Sequence, residues 1–468
     1  MAASAPAATP PRRRGVELGL LLFAVLLVIG ADTAVDATLN DRVGTNVFRY
    51  GAGFVLIYAV AHLAVRRLTP YADPVILPAV ALLNGLGLVL IRRLDMAEAE
   101  NARQAGRAIP AGDAAVQVVW TCIGLALFIG VLVVVRDHRA LNRYAYTLAA
   151  AGLAFLALPA VLPGRFSEVN GAKIWIRVAG FSIQPGEFAK LALMVFFASY
   201  LVAKRDVLSM ASRRVAGIDL PRGRDLGPVV VAWLLSVFVL AGEKDLGTSL
   251  LFFGIFVVML YVATERTSWL LIGLSLFMAG AYLAYLKFGH VQERVAVWLH
   301  PFDYRDREGY QIVQSLFGLG TGGLFGRGLG GGRPDTVPFA KTDFIIATVG
   351  EELGLFGLVA LLVVYTLIVS RGFRTALTVR DSFGKLLAAG LAFTLAFQVF
   401  IVVGGVTKLI PLTGLTTPFL SYGGSSLVAN FALVALLLRI SDAARRPPPQ
   451  PAPKQLPLAE AATEVVKR

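Results

Sequence analysis

AAVQVVWTCIGLALFIGVLVV, residues 114–134, runs without a charge for about the 20 residues that a helix needs to cross a bilayer. Eleven further apolar runs repeat the pattern, at 16–31, 48–65, 74–91, 143–162, 186–203, 228–242, 247–263, 268–286, 345–370, 386–408 and 419–439. Of the 468 residues, 56% are hydrophobic and 16% charged, and the mean hydropathy is +0.70. Roughly 260 hydrophobic residues build about twelve spans. A soluble domain has no interior large enough to hide them. The sequence therefore predicts an all-α polytopic integral membrane protein, a helical bundle of about twelve transmembrane helices with one large outer loop.

The charges divide the two faces of this bundle. Net charge is +14 and pI about 10.0, yet the basic residues cluster between apolar runs, and no basic helix interleaved with aromatics exists. That excludes a nucleic-acid partner. With the N-terminus inside, the cytoplasmic loops carry Arg66 and Arg67, then Arg136, Arg139 and Arg143, then Lys204, Arg205, Arg213, Arg214, Arg222 and Arg224, and later Arg371, Arg374, Arg380 and Lys385. Every substantial even-numbered loop is basic, as the positive-inside rule requires. Both termini are then cytoplasmic in a multi-pass plasma-membrane protein. Residues 1–15 form an N-terminal tail. The first span follows Arg12, Arg13 and Arg14 like a signal peptide, but Asp32, Asp36 and Asn40 stand where a cleavage site would be, so it reads as a retained anchor. The membrane domain covers 16–440. The tail 441–468, containing RRPPPQPAPKQLP, is too rich in proline to form a core and reads as disordered.

Four polar islands interrupt the apolar runs. NGAKIWIRVAGFSIQPGEFAKLAL (170–193) enters a span through Gln184-Pro185, with Glu187 and Lys190 one helical turn apart. A structural i, i+3 pair and a functional pair both fit this spacing. AGEKDLGTSL (241–250) places Glu243, Lys244 and Asp245 at a span boundary, where an interfacial role is an equal alternative. The outer loop, about 287–344, holds PFDYRDREGYQIVQSLFGLGTGGLFGRGLGGGRPDTVPFAKTDF and runs into IIATVGEELG. Long loops without regular structure are usually functional or disordered, and the aromatic, acidic and basic residues here favour a site of chemistry. Its GxGxxG matches follow no strand and lead to no GK[ST], so they do not bind a nucleotide. Its glycines instead permit tight turns or close backbone approach to a ligand. IPLTGLTTPFLSYGGSS (410–426) joins the last two spans, and such irregular backbone is tolerated at membrane depth where it lines a cavity or is buried in protein.

Several chemistries are absent. Cys122 is the only cysteine and reads as a small core residue, which removes disulfides, iron–sulfur clusters and thiolate zinc. The four histidines are scattered and make no metal site. No Ser-His-Asp, HExxH or zinc pattern is present. Acids and bases above a bundle with polar islands suit either a reaction on a lipid-linked substrate or transport of a polar solute.

The strings QPGEFAK, KDLGTSL, GYQIVQS with GTGGLFGRGLG, TDFIIATVGEELG and PLTGLTTPFLSYGGSS occur in one order across about 170–441. Together they resemble the SEDS family (shape, elongation, division and sporulation), which includes the RodA and FtsW cell-wall polymerases. Upstream of Asn170 the match is loose, and twelve spans are two more than the ten common in that family. VPFAKTDF, where FtsW-like members carry a longer LPEAHTDF-type string, leans towards the RodA-like elongation branch. The resemblance implies a peptidoglycan glycosyltransferase that polymerises lipid II at the outer face of the plasma membrane, working with a class B penicillin-binding protein, a transpeptidase. It implies inversion at C1 of a sugar on undecaprenyl pyrophosphate, attacked by the 4-hydroxyl of an acceptor sugar. A carboxylate takes the hydroxyl proton, and cationic groups stabilise the diphosphate. The sequence requires no cofactor. A divalent cation such as Mg or Mn is the one auxiliary this chemistry admits.

Carried onto this chain, the family's motifs place substrate contacts at Gln184, Glu187, Lys190, Asp245, Tyr310, Gln314, Asp343 and Ser425. The family's acid, in a P-x-x-D string six residues before the tyrosine of GYQ, falls on Tyr304, flanked by Asp303 and Asp306. A tyrosine with a pKa of about 10 is a poor base, so the expected catalytic residues are Asp303, which is nearer, and Asp306. The family's arginine before the loop tryptophan falls on Ile174, leaving Lys173 or Arg177 as substitutes. QPGE replaces QPSE, and EKDLG replaces QPDLG. A lipid II flippase or other transporter, and a scaffold without chemistry, remain the alternatives.

Overall fold

The computed structural model describes residues 13–40, 46–169, 172–178, 181–205 and 245–447, with short pieces between 213 and 238. Every apolar run but one is a helix; the exception, 228–242, falls largely outside the described residues. The long helices are α1 (Arg14–Asn40), α2 (Asn46–Leu68), α3 (Ile76–Gln104), α4 (Asp113–Val134), α5 (Ala145–Val161) and α6 (Pro185–Ala203). After the break come α7 (Leu246–Thr264), α8 (Ser268–Lys287), α9 (Gly289–Leu299), α10 (Tyr310–Gly322), α11 (Ile345–Thr378), α12 (Ser382–Val406) and α13 (Gly424–Arg445). Among the described residues, 10 helices are long and apolar enough to cross a membrane. Of the other two expected runs, 228–242 lies largely outside the described residues and 143–162 forms the shorter helix α5. Helix α5 has only 17 residues, with Pro159 inside it.

Helix boundaries move where charges find partners. The apolar run at 74–91 stops before Arg92, but α3 continues to Gln104. Its charges are matched as they arise: Arg92 donates to Asp32 (2.5 Å) and Asp36 (2.6 Å) on α1, and Arg93 to Glu352 on α11. A charge in or near a bilayer is tolerated when paired in this way.

Helix α13 is the axis of the bundle, buried from Ser425 to Asp442. Small residues let it sit there. Gly124 on α4 faces Phe431, whose ring a Cβ would overlap, and packing through small residues is how helices approach closely in a membrane. Helix α8 lies at the periphery, with Leu271, Leu274, Met278 and Tyr282 exposed on its outer face.

The outer loop is ordered rather than structureless. It contains α9, a short 3-10 turn at Pro301–Tyr304, α10, and a second 3-10 turn at Pro334–Thr336. Its glycines permit close approach to the chain itself. Helix α11 breaks at Gly354, where φ is 68°, and the loop splices into the break. Arg327 N donates to Glu351 O (3.0 Å) and Gly328 N to Glu352 O (2.9 Å). In return, Leu355 N donates to Gly323 O (2.9 Å) and Phe356 N to Leu324 O (3.1 Å). A Cβ at Gly322, Gly326 or Gly354 would overlap the facing backbone, so only glycine fits the splice.

On the same face, two antiparallel hairpins precede α6. β1 (Glu168–Val169) pairs with β2 (Ala172–Lys173), and β3 (Ile176–Val178) pairs with β4 (Phe181–Ile183). A third antiparallel pair joins Arg213–Val215 to Ile218–Leu220.

Candidate active site beneath the outer loop

The segment between α12 and α13 is the hub at which the four polar islands meet. Four of its peptide oxygens, which a helix would have satisfied, are taken by side chains. Arg294 on α9 donates to Leu412 O (3.1 Å) and Thr413 O (3.4 Å). Gln398 on α12 donates to Thr416 O (2.9 Å). Trp298, one turn after Arg294, donates its indole N–H to Lys408 O (3.1 Å). Irregular backbone is thus paired within protein, as membrane depth requires.

The first island enters from the other side. The Gln184 backbone N–H donates to Ser425 Oγ (2.9 Å), and its amide reaches Asp245 Oδ2 at 3.3 Å. Ser425 in turn donates to Ser182 O (3.3 Å) on β4. Asp245 caps α7, accepting from the Thr248 N–H at 2.9 Å, the usual role of an aspartate at this position. Next to it, Gly247 lies under the hub; a Cβ there would stand 2.7 Å from Thr413 O. Glu187 and Lys190 are paired at 2.5 Å and buried, and Lys190 Nζ also donates to Gln398 Oε1 (3.1 Å). The i, i+3 pair is therefore tied to the hub through Gln398.

Asp343 completes the cluster. Partial burial raises its pKa to about 6, against the lowering effect of the Arg294 guanidinium and the Thr342 hydroxyl and with help from the Asp245 charge. Burial likewise raises Asp245, and it lowers Arg294 despite the two aspartates facing that residue. Burial outweighs the shared guanidinium, so both aspartates hold a proton more readily than an isolated acid does.

The cluster thus gathers Gln184, Glu187, Lys190, Asp245, Asp343 and Ser425 from the expected positions. The remainder stand apart. Asp303 and Asp306 are exposed beyond the end of α9; Asp306 meets only Arg305 (3.4 Å), and Asp303 makes no side-chain bond among the described residues. Tyr310 is 42% exposed at the start of α10, and Gln314 is half-buried one turn later. Lys173 lies opposite Glu168 in the first hairpin; Arg177 lies exposed opposite Ser182 in the second.

Arg294 and Gln398 were not foreseen. Gln398 is a lone amide in an apolar stretch of α12, and that isolation was a signal; Arg294 follows His290, Gln292 and Glu293 on α9 and has no such mark. Lys341 is a third. Its ammonium sits among Asp95 (2.7 Å), Glu98 (2.6 Å) and Asp113 (2.9 Å). Those three acids are the one trio among the described residues whose oxygens lie close enough to share a metal ion. Lys341 already supplies the cation they need.

Residues 73–446 match the FtsW/RodA/SpoVE model, described as a cell cycle protein. Helices α1 and α2 precede that match. The chain is 54% identical over 464 residues to the peptidoglycan glycosyltransferase RodA of Mycobacterium tuberculosis, covering 99% of this chain and 98% of that protein. It is 34% identical over 327 residues to the probable peptidoglycan glycosyltransferase FtsW of Geobacter metallireducens, covering 69% and 84%. A solved peptidoglycan synthase complex, described as coordinating polymerization and crosslinking, contains a chain similar at a TM-score of 0.54 and 27% identity, over 85% of this chain and 98% of that one. Helical membrane architecture, ordered motifs and full-length similarity agree, and the chain belongs to the FtsW/RodA/SpoVE family.

Proposed function

We propose that this protein is a peptidoglycan glycosyltransferase that polymerises lipid II at the outer face of the plasma membrane, in the elongation branch of its family. The observation that carries this reading is the 54% identity, across 99% of the chain, to the mycobacterial enzyme RodA. The polar cluster beneath the loop supports it, because its residues come from the motifs that the family resemblance singled out.

In this reading the loop-bearing face is extracytoplasmic and both termini are cytoplasmic, an orientation that the basic loops on the opposite face support. The acceptor hydroxyl approaches from the loop side, where Asp303 takes its proton. Arg294, Asp245, Asp343 and the Glu187–Lys190 pair form the fixed polar floor that receives the diphosphate-linked sugar. Preorganised charges of this kind stabilise developing charge without reorganising during the reaction. The polyprenyl chain lies in the bilayer alongside the apolar helices. A class B penicillin-binding protein is the proposed partner, with its outer domain against the loop; the similar solved chain comes from a synthase complex, which supports that pairing.

The deciding experiment incubates the detergent-solubilised chain with purified lipid II, with and without the transpeptidase. Glycan polymer is the expected product. Lipid scrambling without polymer would replace this reading by a flippase, and neither activity would leave a scaffold.

A further inference from the structure

On the face opposite the candidate active site, a cavity of about 390 Å³ opens where α4, α11 and α13 end and α12 begins. Ligand pockets start at roughly this size. Its lining is unlike that of the rest of the bundle: five arginines face three aspartates. Two of the aspartates are already saturated. Asp381 accepts from Gly384 N (2.7 Å) and from His138 Nε2 (2.9 Å), with Arg139 at 3.4 Å. Asp442 accepts from Tyr71 N (2.8 Å) and pairs with Arg446 (2.7 Å). Arg136 and Arg380 have no ion-pair partner among the described residues.

Deeper in the cavity wall, Arg439 is 5% exposed. Its two terminal nitrogens donate to Leu68 O (2.7 Å) and to Leu132 O, while its Nε–H is buried without an acceptor. The buried His138 also has an unsatisfied Nδ1, which lies 3.6 Å from Asp137. Buried donors without partners are rare because each costs free energy. The cavity therefore has donors to spare and unbalanced positive charge at the ends of membrane-spanning helices.

We propose that this cavity is a binding site for a phosphate-bearing anion, held by Arg136, Arg380 and Arg439. Guanidinium groups match phosphate oxygens two at a time, and an oxyanion supplies the acceptors that this wall lacks. A soluble phosphate and the headgroup of an anionic lipid present the same chemistry. The position at the helix ends suits the lipid, since basic pockets between helices on this side of a membrane take such headgroups. The site lies at the other end of the molecule from the glycosyltransferase cluster, and its occupancy does not depend on that function.

The test uses the full chain reconstituted in phosphatidylcholine nanodiscs. Two probes are compared, cardiolipin doped into the nanodisc and inorganic phosphate in solution. Binding is read by native mass spectrometry for the lipid and by thermophoresis for the phosphate. The R136Q/R380Q variant removes two exposed arginines without touching the packed core, and R305Q/R307Q on the opposite face is the charge-matched control. We expect at least one probe to bind the wild type and the control alike, and to bind R136Q/R380Q about tenfold or more weakly, because each lost charged hydrogen bond costs about tenfold or more. Cardiolipin alone responding identifies a lipid site; phosphate responding identifies a soluble one. If neither probe binds the wild type, or if R136Q/R380Q binds as well as the control, the proposal is wrong.

Discussion

Asp303 and Asp343 belong to the same loop but occupy different media. Asp303 stands in solvent past the end of α9, with no side-chain bond among the described residues. Asp343 is half-buried against Arg294, with a pKa raised to about 6. The first is free to meet a substrate that enters from outside. The second is held in place before any substrate arrives. The difference separates two tasks that motif order alone runs together: moving a proton, and providing a fixed field around the charge that moves.

The largest effect that would break this division is on turnover. We predict that Asp303→Ala lowers lipid II polymerisation about 100- to 10,000-fold, the usual loss for a general base, with the melting temperature in detergent unchanged. If Asp303→Ala retains turnover while Asp343→Asn loses it, the roles exchange.

Next comes the buried pair on the floor. Lys190→Met leaves Glu187 buried and unpaired, so it should lose roughly 3–5 kcal/mol of stability along with activity. Exchanging the two residues should recover stability, measured by thermal melting, but not polymerisation. Full activity in the exchanged protein would make the pair purely structural.

A smaller effect distinguishes Asp343 by pH. Its folded pKa lies above the ordinary value of 3.8, so the folded state holds the proton more tightly than the unfolded chain. Its contribution is therefore complete below about pH 4 and is lost as pH rises through about 6, by no more than about 3 kcal/mol. Asp343→Asn should flatten the melting profile over that window. An unchanged profile would show that Asp343 is not desolvated.

The smallest effect is expected at Asp306, whose side chain is 83% exposed and meets only Arg305. Asp306→Ala should alter stability by less than about 0.5 kcal/mol and turnover by less than about twofold if Asp303 is the base. A loss at Asp306→Ala equal to that expected for Asp303→Ala would transfer the proton acceptor to it.

Much of this molecule was readable from its sequence, and the unread part has physical causes. Uncharged runs marked the helices because burying backbone in lipid leaves few alternatives. Their ends were less visible. Whether Arg92 and Arg93 end a span or continue it depends on Asp32, Asp36 and Glu352, partners that lie far away in the chain. The site was half legible. Gln184, Asp245 and Ser425 stood out in polar islands and do converge. Arg294 did not stand out because it lies among other polar residues on a short helix, and the lone Gln398 on α12 carries no sign of which backbone it will face. The loop glycines suggested close approach, and the structure has it, though to the neighbouring helix rather than to a ligand.

The splice at Gly354 also makes the loop and α11 one mechanical part. Main chain from 323–328 is stitched to 351–356 on both sides of the break, so the two cannot slide past each other without losing several hydrogen bonds together. Helix α11 then runs on to Thr378, two residues before Arg380 at the rim of the arginine-lined cavity. One continuous chain segment thus joins the loop at one face to the rim of that cavity at the other.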